Sequence, residues 1–233
     1  MIKLPELTDA TFIQRRNRFI AQVKLPDGQA VDAHLANTGR MRELLIPGRA
    51  VKIAPAHNPA RKTKYDLFLI DQDGAWVCLR AAYANELADR WLASGLLAPY
   101  GLKGSWRREM KIGRHRFDFF LEAGEKPTIL EVKSANFKKG HTALFPDAPT
   151  VRGRQHVESM LELSAAGYRC VLLMITMGQA VDELIFNRQN DAPLADAMAQ
   201  AKAAGLDIIV MKSRFTETEA FFDGFLPIDW GRS

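Results

Sequence analysis

The chain has 233 residues, of which 47% are hydrophobic and 25% charged, with a formal net charge of +5 and a pI near 9.3. That balance belongs to an ordinary globular protein of one large or two small domains, and it excludes disordered and fibrous classes. No apolar run approaches the roughly 18 residues that a membrane span needs, and the opening Met1-Ile2-Lys3-Leu4-Pro5-Glu6 lacks the apolar core of a signal peptide. The expectation is a soluble cytoplasmic protein with no membrane partner. Cys78 and Cys170 each sit inside an apolar run, which predicts buried free thiols and no disulfide framework.

Residues 12–80 read as a run of short strands. Phe19 to Leu25 alternates around Gln22 and Lys24, Pro26-Asp27-Gly28 signals a turn, and Val31, Ala33 and Leu35 alternate with Asp32 and His34, so a hairpin is predicted. Further strands are expected at Ala50–Ala54, Tyr65–Ile70 and Trp76–Leu79, separated by Pro47-Gly48, by the 55–64 loop and by Asp71-Gln72-Asp73-Gly74. This pattern suits a small barrel, either an OB-fold or an SH3-like one.

From Asn85 the period becomes helical, with Leu87, Trp91 and Leu92 on one face and Asn85 as the expected N-cap. Phe117–Leu121 and Thr128–Val132 read as strands, Val157, Met160, Leu161 and Ser164 as a helical face, and Cys170–Ile175 as a fully apolar strand. A helix near Pro193–Ala204, stopped by Gly205, precedes a last strand at Leu206–Met211. The order implies a mixed sheet flanked by helices. The predicted organisation is an OB-like β-barrel over 1–83 and an α/β unit over 84–233.

The chemistry concentrates in the second unit. Asp118 interrupts an apolar strand, and Glu131 and Lys133 lie in the next one after a turn at Gly124-Glu125. If that turn closes a hairpin, residues whose numbers sum to 249 face each other, so Asp118 opposes Glu131 and Lys133 points to the same face. Two opposed carboxylates repel unless a cation lies between them, and a hard ion such as Mg²⁺ or Mn²⁺ suits such oxygen ligands. Lys133 beside them fits phosphodiester hydrolysis, in which an amine can orient water or neutralise charge on a phosphate. The competing reading is a cross-strand salt bridge.

Basic residues cluster at Arg15, Arg16 and Arg18, at Arg40 and Arg42, at 103–116, and at Lys138 and Lys139. Arg152 and Arg154 open a predicted helix, where their charge opposes the helix dipole, and a bound phosphate would relieve that conflict. An Arg154, Glu158, Glu162 ladder explains Arg154 alone. The basic clusters point to a polyanionic partner. The histidines His34, His57, His115 and His141 show no zinc-ligand spacing, and the absence of any phosphate-binding glycine loop argues against a nucleotide cofactor.

The stretches Asn37-Thr38-Gly39-Arg40-Met41, Phe117-Asp118-Phe119, Leu130-Glu131-Val132-Lys133-Ser134 and Phe145-Pro146-Asp147-Ala148-Pro149-Thr150-Val151-Arg152-Gly153-Arg154-Gln155-His156 resemble the sugar fermentation stimulation protein A family. The resemblance implies an OB-like domain followed by a PD-(D/E)XK nuclease-like domain, and DNA binding without marked sequence preference; the site residues themselves leave RNA as a further candidate partner. It also implies a link to regulation of sugar, notably maltose, utilisation. Carried over, the nuclease motif assigns Asp118 and Glu131 as metal ligands, Lys133 as its lysine, and Glu86 on the first helix as a further acid. Gln155 and His156 occupy a region of auxiliary polar contacts to nucleic acid. Flanking residues Arg116-Phe117 and Ala135-Asn136 depart from the family pattern.

Overall fold

The computed structural model describes residues 1–231 apart from His57, Pro59, Arg114 and Ala123, so the expectations placed on His57 and Arg114 lie outside the described residues. The first unit contains β1 (Ile2–Lys3), β2 (Thr8–Arg15), β3 (Ile20–Lys24), β4 (Ala30–His34), β5 (Ala50–Pro55), β6 (Tyr65–Gln72) and β7 (Ala75–Cys78). After α1 (Tyr83–Ala93) come β8 (Trp106–Ile112), β9 (His115–Leu121), β10 (Thr128–Ala135), β11 (Phe137–Lys139) and β12 (Thr142–Phe145). The chain then forms α2 (Val151–Ala165), β13 (Arg169–Met177), β14 (Glu183–Phe186), α3 (Ala192–Ala203), β15 (Asp207–Phe215) and β16 (Glu219–Phe225).

Strands β2 to β6 close on themselves through a parallel β4–β6 pairing, and enclose a cluster that includes Phe12, Val23, Leu35, Ile53, Leu67 and Ile70. The predicted hairpin is present, with Ile20↔His34 through Lys24↔Ala30 in register. Of the two aromatics flanking the first arginine cluster, Phe12 is core, whereas Phe19 is 47% exposed.

The second unit is a mixed sheet in the order β15-β13-β10-β9-β8. β13 is parallel to both neighbours and buried along nearly its whole length, which is why its sequence is an unbroken apolar run. α1 covers one face through Leu87, Trp91 and Leu92, and α2 and α3 cover the other through Val157, Met160, Leu194 and Met198. Asn85 does not cap α1. The N-cap is Ala82, with no side-chain bond, and Asn85 lies inside the helix where its amide is free for another partner.

The two units share one continuous sheet, because β7 pairs with β15 at Trp76↔Phe215. The α1-side cluster accordingly mixes Phe68, Leu69 and Cys78 of the first unit with Leu87, Leu173 and Phe215 of the second. Both cysteines are buried and free, and burial pushes the thiols up, to about 12 for Cys78 and about 11 for Cys170. Among the described residues no helix is long and apolar enough to cross a membrane.

At the junction, Gly178 has φ +109°, and a Cβ built there would lie 2.1 Å from the Trp76 carbonyl oxygen. Gly28, in the β3–β4 turn, has φ +90° but open space around it. Replacing Gly178 by Ala is therefore expected to lower stability by about 3 kcal/mol or more, against about 1 kcal/mol for Gly28→Ala, as read from urea unfolding midpoints.

Candidate active site

The β9–β10 hairpin keeps the predicted register: Leu121↔Thr128, Phe120↔Ile129 and Phe119↔Leu130 are paired. At Asp118 the ladder changes. The Asp118 carboxylate accepts the Val132 backbone N–H at 2.8 Å, and its other oxygen accepts the Asn85 side-chain amide at 2.7 Å. On the far side, the β8–β9 pairing passes from Arg108↔Phe119 to Met110↔Phe117, and the intervening Glu109 has φ +53°. A left-handed, non-glycine residue costs of order 1–3 kcal/mol and persists only where its surroundings impose it.

Glu131 lies on the α2 side of β10 and is only 3% exposed. Its Oε1 is held by His156 Nδ1 of α2 at 2.7 Å and by the Lys133 amine two residues along the same strand. Its Oε2 is buried with no hydrogen-bond partner among the described residues. Burial pushes the Glu131 carboxyl up, but the His156 bond and the Lys133 charge outweigh it and hold the pKa below the ordinary value. Asp118 moves the other way: burial first, then the Glu131 charge, raise it, against the Val132 bond and Lys133. Two acids with opposed shifts in one place form an arrangement suited to acid–base or metal chemistry.

Asp118, Glu131 and Lys133 line one open cavity of about 420 Å³, together with Glu109, Arg116, Arg152 and His156. Among the described residues no group of three or more His, Cys, Asp or Glu side chains converges as a metal site. Two carboxylates nevertheless fit a hard cation, since Mg²⁺ commonly takes one or two protein carboxylates and fills the remaining positions with water and phosphate oxygens. The orphaned Glu131 Oε2 is the acceptor such an ion would satisfy.

Several assigned residues need correction. Glu86 is exposed and does not line the cavity; α1 reaches Asp118 through Asn85 instead. His156 is buried, with its Nδ1 2.7 Å from Glu131 Oε1, and it belongs to the cavity wall and not to the exposed surface of α2. Arg15 turns inward, donating to the carbonyls of Asn17, Arg18, Asn37, Gly39 and Arg40. Lys138 is ion-paired with Asp73 at 3.2 Å, with its side chain 12% exposed. Arg16 pairs with Asp32, and Arg154 with Glu158, the predicted ladder contact. Arg18, Arg40, Arg42, Lys139, Arg152 and Gln155 are exposed. Among the described residues Arg152 forms no ion pair, and it faces the acidic cavity.

α2 begins at Thr150, whose hydroxyl accepts the Gly153 N–H at 3.0 Å. A Cβ at Gly153 would lie 2.7 Å from the Thr150 methyl, so the glycine between the two arginines allows the tight cap that aims Arg152 at the cavity. Glu109 and Asn85 went unread in the sequence. Nothing local marks Glu109, and Asn85 signals an N-cap more strongly than a carboxylate partner.

Residues 13–79 match the family model for the SfsA N-terminal OB domain, and residues 82–219 match the model described as the sugar fermentation stimulation protein RE domain. The chain belongs to the sugar fermentation stimulation protein family. It is 38% identical over 213 residues to a sugar fermentation stimulation protein homolog of Moorella thermoacetica, covering 89% of this chain and 90% of that one. A homolog of Methanothermobacter thermautotrophicus is 34% identical over 199 residues, covering 85% and 82%. Among solved structures, SfsA of Pyrococcus furiosus in complex with Ca²⁺ superposes with a TM-score of 0.89 at 26% identity, covering 98% of this chain and 99% of that one.

The geometry separates two substitutions. Asp118→Asn removes like-charge repulsion while an amide can still accept from Val132 and pair with Asn85, so unfolding in urea without metal should show unchanged stability or a gain of up to about 1 kcal/mol. His156→Ala strips a partner from a buried carboxylate and should cost about 2 kcal/mol in the same measurement.

Proposed function

We propose that this protein is a Mg²⁺- or Mn²⁺-dependent nuclease of DNA or RNA built on a PD-(D/E)XK-like domain, with the OB domain contributing grip on the strand. The observation that carries the reading is Glu131: a buried carboxylate kept ionised by His156 and Lys133, with one oxygen unpartnered, in a residue that lines the same cavity as Asp118. The Ca²⁺ in the Pyrococcus furiosus relative supports an oxygen-ligated cation in this family. Asp118 and Glu131 would hold the ion, which when bound supplies positive charge for a phosphoryl oxygen and makes a water more acidic.

The chain's own groups do the rest. Asn85 and the Val132 N–H fix the Asp118 carboxylate, so it meets the substrate without reorganising. His156 holds Glu131 from behind, and the Lys133 amine lies in the cavity where it can orient the attacking water or meet charge building on the phosphate. Arg152 presents a guanidinium at the cavity wall for a neighbouring phosphate. Binding of this kind reads backbone charge and not base sequence. Such an enzyme works in the cytoplasm.

A second reading is a DNA-binding regulator of sugar metabolism genes that uses the same site without turnover. It is favoured by the direct pairing of Lys133 with Glu131, which leaves the amine partly neutralised, and by the lack, among the described residues, of a group of three or more His, Cys, Asp or Glu side chains placed to hold a metal.

The readings part in a cleavage assay on labelled single- and double-stranded DNA and RNA with Mg²⁺ or Mn²⁺. The nuclease reading expects cleavage that Asp118→Ala or Glu131→Ala abolishes while binding is kept or slightly strengthened, and that Lys133→Ala lowers by about 100-fold or more. Intact substrate in every metal would overturn it. In binding titrations, Arg152→Gln should reduce the slope of log K against log salt by about 0.9, the signature of one lost phosphate contact on duplex DNA. Mg²⁺ at about 100 times its Kd should stabilise the wild type by about 2.7 kcal/mol, and Glu131→Gln should show no such gain.

A further inference from the structure

Two sequence motifs lie mostly outside the site above, which they touch only through Phe145 and Thr150: Asn37-Thr38-Gly39-Arg40-Met41 in the OB domain and Phe145-Pro146-Asp147-Ala148-Pro149-Thr150 before α2. In the fold they face each other across the junction and wall a second cavity of about 350 Å³. That cavity neighbours the acidic one, with Phe145 and Thr150 lining both. A loop from one domain, a loop from the other, and a candidate catalytic cavity thus lie side by side.

The walls are held stiffly. Arg15 donates to the carbonyls of Asn37, Gly39 and Arg40 and ties that loop to the end of β2. Gly39 lies so close to the second motif that a Cβ would stand 2.5 Å from an Asp147 carboxylate oxygen, and a larger residue there would displace that side chain. The polar groups are equally fixed. Asn37 accepts the Gly39 N–H through its Oδ1, which leaves its amide hydrogens as a donor. Asn136 donates to the Cys78 carbonyl, which leaves its Oδ1 as an acceptor. Phe137 and Phe145 add aromatic surface, and Arg18 stands at the wall with its guanidinium 5.6 Å over the ring of the exposed Phe19.

A stiff pocket with one oriented donor, one oriented acceptor and aromatic surface suits the edge and face of a nucleobase. Its volume lies at the small end of the range for ligand pockets, room for a base and its sugar and far too little for a duplex. We infer that this cavity receives one unpaired nucleobase of a strand whose adjoining phosphate lies against Asp118, Glu131 and Lys133. The inference rests on the nucleic-acid reading given above and deepens it: the preferred substrate carries an unpaired nucleotide beside the phosphate at the acidic site. A paired base would first have to leave its stack, at a cost of a few kcal/mol, so frayed ends, overhangs and single strands are favoured over blunt duplex.

The test is fluorescence anisotropy with the full-length protein in Ca²⁺, using a blunt DNA duplex, the same duplex with a short single-stranded overhang, and that overhang with abasic residues. DNA and RNA overhangs are both used, since base chemistry is shared and the tighter form identifies the sugar. The expected result is about tenfold tighter binding of the base-bearing overhang than of either control, the gain of roughly one well-stacked base. Thr38→Trp fills the cavity and should erase that preference while blunt-duplex binding stays as in the wild type. Arg18→Ala, a surface change with little risk to folding, should shrink it. Equal binding of base-bearing and abasic overhangs by the wild type, or a preference that survives Thr38→Trp, overturns the inference. Blunt-duplex binding without an overhang preference removes this inference alone, whereas no binding of any strand at low salt removes the nucleic-acid reading with it.

Discussion

A carboxylate buried among apolar side chains is the constraint around which the second domain is arranged. Glu131 sits on a strand with sheet on both sides and helices on both faces, an environment in which an isolated charge would be protonated or expelled. It stays ionised because α2 delivers His156 and because Lys133 lies two residues on, with its amine reaching the same oxygen. The position of α2 is set in turn by the Thr150 cap and by Val157 and Met160 against the sheet. The helix start that looks electrostatically unfavourable in sequence, with arginines at its first turn, is therefore the element that brings both a clamp for the acid and a guanidinium to the cavity.

The strand period of two and a single tight turn were enough to specify the pairing of β9 with β10, and hence the shared location of Asp118, Glu131 and Lys133. The core of α1 was legible for a similar reason, since Leu87, Trp91 and Leu92 repeat at helical spacing. What escaped was whatever depends on contacts distant in the chain. Asn85 carries the local signature of a cap, yet it binds a carboxylate 33 residues away. Arg15 belongs to a basic cluster by sequence, but the fold surrounds it with backbone carbonyls, which desolvates the guanidinium and lowers its pKa. β8 was hidden because an edge strand rich in arginine and lysine shows no clear alternation, and charge on an open edge opposes unwanted strand pairing.

The arginine and lysine residues divide into two populations that composition cannot separate. Arg15, Arg16, Lys138 and Arg154 are engaged within the molecule, while Arg18, Arg40, Arg42, Lys139 and Arg152 remain available to an anionic partner. The net positive charge is thus expressed unevenly. Exposed cations lie on the OB loops, at the end of β11 and at the start of α2, with Arg18 at the wall of the cavity between the two motifs and Arg152 at that of the acidic one.

The pairing of Trp76 with Phe215, with Gly178 lodged beneath it, welds the OB strands to the central sheet. Proteins that join two modules by a pliable hinge can clamp a ligand by swinging shut. Here the modules share a strand ladder and a core cluster, so on the nucleic-acid reading proposed above discrimination would come from which strands fit the gap between them.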